Sequence, residues 1–221
     1  MKIGFIGTGN MGGAILKGYS KQAAADGNML LGYNCTRAKL EQIAEAYPVT
    51  LCDTMEDLVQ QSDIIILGVK PDRFDTVLPQ VEAQYRADQV VVSMAAGISI
   101  RRIESELGET AKVVRIMPNT PALVGEAMIS VSRNPQVEDG SFAEIMKILN
   151  SIGRAEEVPE SLIHCVIGVS GSSPAYTYLY IDALIQAAVQ NGMAPDQARV
   201  FAAQSVLGAA KMAPTRSESV V

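Results

Sequence analysis

Ile3-Gly4-Phe5-Ile6-Gly7-Thr8-Gly9-Asn10-Met11-Gly12 decides the fold of this chain. A short apolar run, residues 2–6, passes straight into a G-x-G-x-x-G turn, and a helical pattern over 11–25 follows. Strand before and helix after are the context that gives the motif its meaning. Gly7 allows the sharp turn, Gly9 leaves no Cβ in the way of a pyrophosphate, and Gly12 lets helix and strand pack closely. The N–H groups opening the helix, aided by its dipole, then face the phosphates. Gly7, Gly9, Asn10, Met11 and Gly12 are therefore expected to bind a dinucleotide. The alternative is a glycine-rich turn that binds nothing.

Working outward, strand and helix signals alternate. Strands are expected at 2–6, 29–33, 63–67, 90–93 and 112–116, all rich in Ile, Val and Leu. They read as continuous runs, as strands covered on both faces do. Helices are expected at 36–46, at 54–60 with Thr54 as N-cap, from Pro71, and at 98–107 ending at Gly108. Repeated strand–helix–strand units imply an α/β fold with a doubly wound parallel sheet and right-handed crossovers. A further strand at 126–132 and an amphipathic helix at 137–149 follow, and from Pro159 onward only helix is expected. The reading divides the chain into a Rossmann domain at 1–155 and an all-helical domain at 156–221. The last helices are more apolar than a surface appendage should be, so self-association through them is expected.

Composition narrows the function. The 221 residues carry a formal charge of −6, which argues against nucleic acid and anionic membrane partners. No apolar run approaches a bilayer span, and the first strand begins at Lys2, which leaves no room for a signal peptide. Cys35, Cys52 and Cys165 are few and lack metal-ligand spacing; they read as reduced thiols of a cytoplasmic protein, and no metal site is expected. His164, the one histidine, lies in an apolar run and is expected to be a packed helix residue.

The segment after the second strand, Tyr33-Asn34-Cys35-Thr36-Arg37, has no carboxylate to bind a ribose 2′-hydroxyl. Asn34, Thr36 and Arg37 suit a 2′-phosphate instead. NADP(H) is expected to be preferred, with NAD(H) the alternative.

Five motifs then coincide in order: 4–12, Gly-Val-Lys-Pro at 68–71, Ser-Met-Ala-Ala-Gly-Ile at 93–98, Arg-Ile-Met-Pro-Asn-Thr-Pro at 115–121 and Gly-Val-Ser-Gly-Ser-Ser-Pro-Ala-Tyr at 168–176. Together they closely resemble the pyrroline-5-carboxylate reductase family, to about Met212. The resemblance implies a Rossmann domain, a helical domain through which dimers or higher oligomers interlock, and NAD(P)H-dependent reduction of 1-pyrroline-5-carboxylate to L-proline. It implies that Val69, Lys70, Pro71, Ala95, Ala96 and Gly97 line the cofactor at strand ends. It puts Asn119 and Thr120 near nicotinamide and substrate, and Ser170, Gly171 and Ser172 at the opening of a helix facing the substrate. Asn119, Thr120 and Lys70 are the candidate catalytic residues, although the adjacent Pro71 favours a positioning role for Lys70. Hydride transfer to a protonated imine asks little of side chains beyond positioning.

Family members continue past residues 208–212 with a Ser-Pro-Gly-Gly-Thr-Thr turn that holds the substrate carboxylate, whereas this sequence runs on as a polar tail expected to be disordered. Weaker activity, or a dinucleotide-binding relative without turnover, is the alternative expectation. A β-hydroxyacid dehydrogenase fits less well: its catalytic Lys belongs on a helix of the second domain, and Lys211 is the only Lys after Lys147.

Overall fold

The computed structural model describes residues 1–213; the expected disordered tail lies, but for Ala213, outside the described residues. The chain forms β1 (Lys2–Ile6), α1 (Asn10–Ala23), β2 (Met29–Tyr33), α2 (Arg37–Ala44), β3 (Val49–Leu51), α3 (Met55–Gln61) and β4 (Ile64–Leu67). It continues with α4 (Phe74–Glu82), β5 (Val90–Ser93), α5 (Ile100–Leu107), β6 (Lys112–Met117), β7 (Ala127–Arg133), α6 (Asp139–Asn150) and β8 (Gly153–Glu157). The remainder is α7 (Ile163–Val166), a π-helical turn (Ile167–Gly171), α8 (Ser173–Gln190) and α9 (Pro195–Met212).

The strands form one sheet in the order β3-β2-β1-β4-β5-β6-β7-β8, parallel throughout except between β6 and β7. The order reverses between β1 and β4, where doubly wound sheets bind ligands. Both faces are covered. Ile3, Phe5, Ile64, Ile66, Val90 and Val92 join α1 and α6 in one core. The alternate residues Ile6, Ile65, Leu67 and Val91 join α3, α4 and α5 in the other. Period-two geometry therefore hides inside the uninterrupted apolar runs.

Local chemistry sets the element ends. Thr54 Oγ1 accepts from the Asp57 N–H at 3.1 Å and starts α3 as expected. Ser99 Oγ caps α5 through the Arg102 N–H, and Gly108, at φ +98°, ends it. Two readings need correction. The three-residue edge strand β3 has no signal of its own and forms because β2 templates it. Past Pro159, where helix alone is expected, α-helix does not run through the apolar stretch 162–169, since α7 passes into the π-turn at Ile167.

The first compact unit runs from Met1 to Gly171, beyond position 155 where the sequence pattern changes. Glu160 explains this: its Oε1 accepts from the Ile100 N–H and from Arg115 Nη1, both at 2.8 Å. Ile163 is also fully buried. The second unit starts at Ser172 and consists of α8 and α9, packed on each other through Ala198 and Ala202. Tyr176, Tyr178, Leu179, Tyr180, Val200 and Phe201 are exposed on it. Among the described residues no helix is long and apolar enough to cross a membrane.

Candidate functional site

The glycine-rich turn has little spare space on its inner side. Gly7 takes φ +90°, open to glycine at small cost, and its N–H donates to Tyr33 O at 2.9 Å. A Cβ on Gly12 would stand 2.3 Å from Gly7 O, and one on Gly68 equally close, so β1, α1 and β4 meet backbone to backbone. Gly9 is different, because a Cβ there would meet nothing within 4 Å. Its hydrogen faces open space, where a pyrophosphate needs close approach. No side chain caps α1, and its first turn holds no acidic residue. Thr8 Oγ1 is buried and without a hydrogen-bond partner. An open cradle, uncapped helix donors and an orphaned hydroxyl fit a dinucleotide pyrophosphate.

The other candidate residues follow the strands beside this turn. Val69, Lys70 and Pro71 follow β4, and Pro71 opens a 3₁₀ turn over Pro71–Arg73. Lys70 is exposed, with no ion pair or side-chain hydrogen bond among the described residues. After β5, Ala95 is buried while Ala96 and Gly97 are exposed, leaving a small-residue surface. After β2, Asn34 Nδ2 donates to Thr36 O at 3.0 Å. The Arg37 guanidinium pairs with Asp53, and with Glu41 at 2.9 Å. Asp53, then Glu41, raise its pKa. Glu41 is the i+4 neighbour of Arg37 on α2, whereas only folding brings Asp53 beside it.

Asn119 follows β6 and uses both ends of its amide. Nδ2 donates to Ser170 O at 3.0 Å, and Oδ1 accepts from the Met128 N–H at 2.9 Å. It thereby ties the Met-Pro-Asn-Thr-Pro motif to the π-turn of the Val-Ser-Gly motif. π-turns are rare and concentrate at functional sites. Thr120 is exposed, and Ser172 precedes α8 without capping it through its side chain. Both ends of the amide are thus engaged with protein rather than left free for a ligand. His164 is exposed rather than packed, because Ile163 takes the buried position of that turn. No group of three or more His, Cys, Asp or Glu able to hold a metal occurs among the described residues.

Residues 2–97 match the family model "NADP oxidoreductase coenzyme F420-dependent", and residues 160–220 match "Pyrroline-5-carboxylate reductase dimerisation". Pyrroline-5-carboxylate reductase of Escherichia coli (strain K12) is 41% identical over 96% of this chain and 78% of its own length. The chain belongs to the pyrroline-5-carboxylate reductase family. A pyrroline-5-carboxylate reductase structure from Coxiella burnetii aligns at TM-score 0.91, with 31% identity, over 99% of this chain and 81% of the other. The Plasmodium falciparum pyrroline carboxylate reductase structure with NADP bound aligns at 0.86, with 30% identity, over 100% and 81%. Within this family the chain is an oxidoreductase with an N-terminal Rossmann-type domain and a helical dimerisation domain. Its cofactor is a pyridine nucleotide.

Proposed function

We propose that this reductase transfers hydride from NADPH to the C=N carbon of 1-pyrroline-5-carboxylate, whose imine nitrogen already carries a proton from solvent, forming L-proline. The observation that carries the reading is the Asn119 amide, which holds the Ser170 carbonyl and so joins two family motifs at the end of β6. Gly7, Gly9, Asn10, Met11 and Gly12 would hold the pyrophosphate; Val69, Lys70, Pro71, Ala95, Ala96 and Gly97 would line the rest of the dinucleotide. When bound, the reduced nicotinamide supplies the hydride. The protein's own work is orientation: Thr120 and the Ser170–Ser172 segment offer hydroxyl and backbone groups to the substrate. Asn119 holds that segment in place. Lys70 would supply positive charge beside the cofactor.

Preference for NADPH is supported by Asn34, Thr36 and Arg37 and by the missing carboxylate after β2. Asp53 and Glu41 hold the Arg37 guanidinium at its post on the sheet edge, leaving part of it for a 2′-phosphate. We also place the protein in the cytoplasm as a dimer or higher oligomer through its C-terminal helices.

The deciding experiment is NADPH-dependent reduction of 1-pyrroline-5-carboxylate by the purified chain, with L-proline identified as product and NADH run in parallel. Turnover with both substrates required is expected. Dinucleotide binding without turnover would overturn the reductase reading. Arg37→Ala should weaken NADPH several-fold more than NADH, and equal loss for both would remove Arg37 from the 2′-phosphate site.

A further inference from the structure

Thr8, Gly9 and Asn10 of the glycine-rich turn border a cleft of about 830 Å³, and the dinucleotide reading leaves the rest of its lining unused. Its floor is one stripe of α1, on which Lys17 and Lys21 stand one turn apart and Gly13, Ala14 and Gly18 keep the surface low. One wall is α2 with Lys39, followed by Tyr47; the other is the 3₁₀ turn Thr120–Val124 with Ile152. The chain is acidic overall, yet no Asp or Glu lines this cleft while three lysines do. None of the three makes an ion pair or side-chain hydrogen bond among the described residues. Lys17 Nζ stands 6.0 Å from the centre of the half-buried Tyr47 ring, so an aromatic face lies beside the cations.

Like charges converging on a concave surface without counter-charge raise the local potential, and a bound anion relieves it. The volume falls in the range of small-molecule sites, about 300–1,000 Å³. We propose that this cleft is a second ligand site, separate from the dinucleotide, for a phosphate-rich anion of nucleotide size. Lys17, Lys21 and Lys39 would take the phosphates as point charges. Tyr47 and Leu123 would take the organic part. Separation from the cofactor follows from the lining. Arg37, Lys70 and Ala95–Gly97, which follow β2, β4 and β5, do not line the cleft; only Thr8, Gly9 and Asn10 belong to both. The inference stands independently of the reductase reading.

The test is calorimetric titration of the full chain with inorganic tripolyphosphate and with adenosine triphosphate, each with and without saturating NADPH. Both probes should bind, the nucleotide several-fold more tightly, and both should still bind beside NADPH. Sodium chloride should weaken them. K17A/K21A/K39A should weaken both about tenfold or more, with the NADPH Kd unchanged. K17R/K21R/K39R, which keeps the charge, should restore binding. No binding to the wild type, undiminished binding to the alanine variant, or displacement of both probes by NADPH would each overturn the second site. Equal affinity for the two probes would overturn its nucleotide size. The parallel NADPH titration shows separately whether the cofactor reading holds.

Discussion

At the residue scale, two glycines of one turn separate packing from binding. Gly12→Ala puts a Cβ 2.3 Å from Gly7 O, a contact between backbone segments that cannot yield cheaply. It should cost about 1–3 kcal/mol in urea unfolding as well as dinucleotide affinity. Gly9→Ala meets nothing in the fold, so unfolding should be unchanged while NADPH titration shows weakened binding. Equal stability losses in the two variants would contradict this division. Asn119 makes a different prediction. Asn119→Ala leaves the Ser170 carbonyl and the Met128 N–H without their partner, which should lower stability by about 1–2 kcal/mol. In the positioning role proposed for Asn119, the variant should lower kcat and raise the substrate KM together while leaving the NADPH Kd close to wild type. The asparagine was visible in the sequence. Its role was not, because the Ser170 carbonyl it holds lies 51 residues further along the chain.

At the scale of elements, the end of α1 is fastened to α6 by charge. Asp26, just beyond α1, pairs with Lys147 of α6 at 2.7 Å and accepts from Tyr19 Oη at 2.9 Å. The Lys147 hydrogen bond, then Tyr19's, lower the Asp26 pKa. A depressed carboxylate adds stability above its unfolded pKa and loses it as pH falls through the folded value. Asp26→Asn should therefore flatten the acid limb of a stability-against-pH curve and leave it unchanged once wild-type Asp26 is protonated. Tyr19 acts at the other extreme. Burial, the largest cause, pushes its phenol up to about 12, with Asn28 opposing and Asp26 assisting. The unfolded phenol loses its proton near 10, so stability should fall as pH rises from about 10 to 12. Tyr19→Phe removes that loss, which urea titrations at pH 9 and pH 11 would show. On the other side of the sheet's β6 end, Glu160 joins the N-terminus of α5 to the buried Arg115. Glu160→Ala leaves that guanidinium short of a partner and should cost roughly 2–3 kcal/mol. Such ties escape sequence reading because each joins residues whose local patterns are unrelated. Element positions did not escape it: apolar runs, Thr54 and Gly108 mark strands, a cap and a stop by chemistry confined to a few neighbours.

At the scale of the whole molecule, α8 has no buried residue and α9 only Ala198 and Ala202, with Leu179 and Phe201 exposed. Burying such side chains stabilises by about 1.5–3 kcal/mol each, and in the proposed oligomer a second copy of the helical unit would supply the partner surface. Leu179→Glu with Phe201→Glu should shift sedimentation from oligomer towards monomer; an unchanged sedimentation coefficient would place the interface elsewhere. The sequence by itself determined the doubly wound class, the glycine-rich turn between β1 and α1 and the family motifs that follow the strands. Those properties follow from short-range geometry: which residues tolerate a turn, cap a helix or bury both faces of a strand. Only the tertiary structure decided that Asn119 is spent on holding Ser170, that Arg37 shares its charge with Asp53, and that three lysines meet in one cleft. Those depend on which distant segments the sheet order makes neighbours, and no local pattern encodes a neighbour brought in by folding.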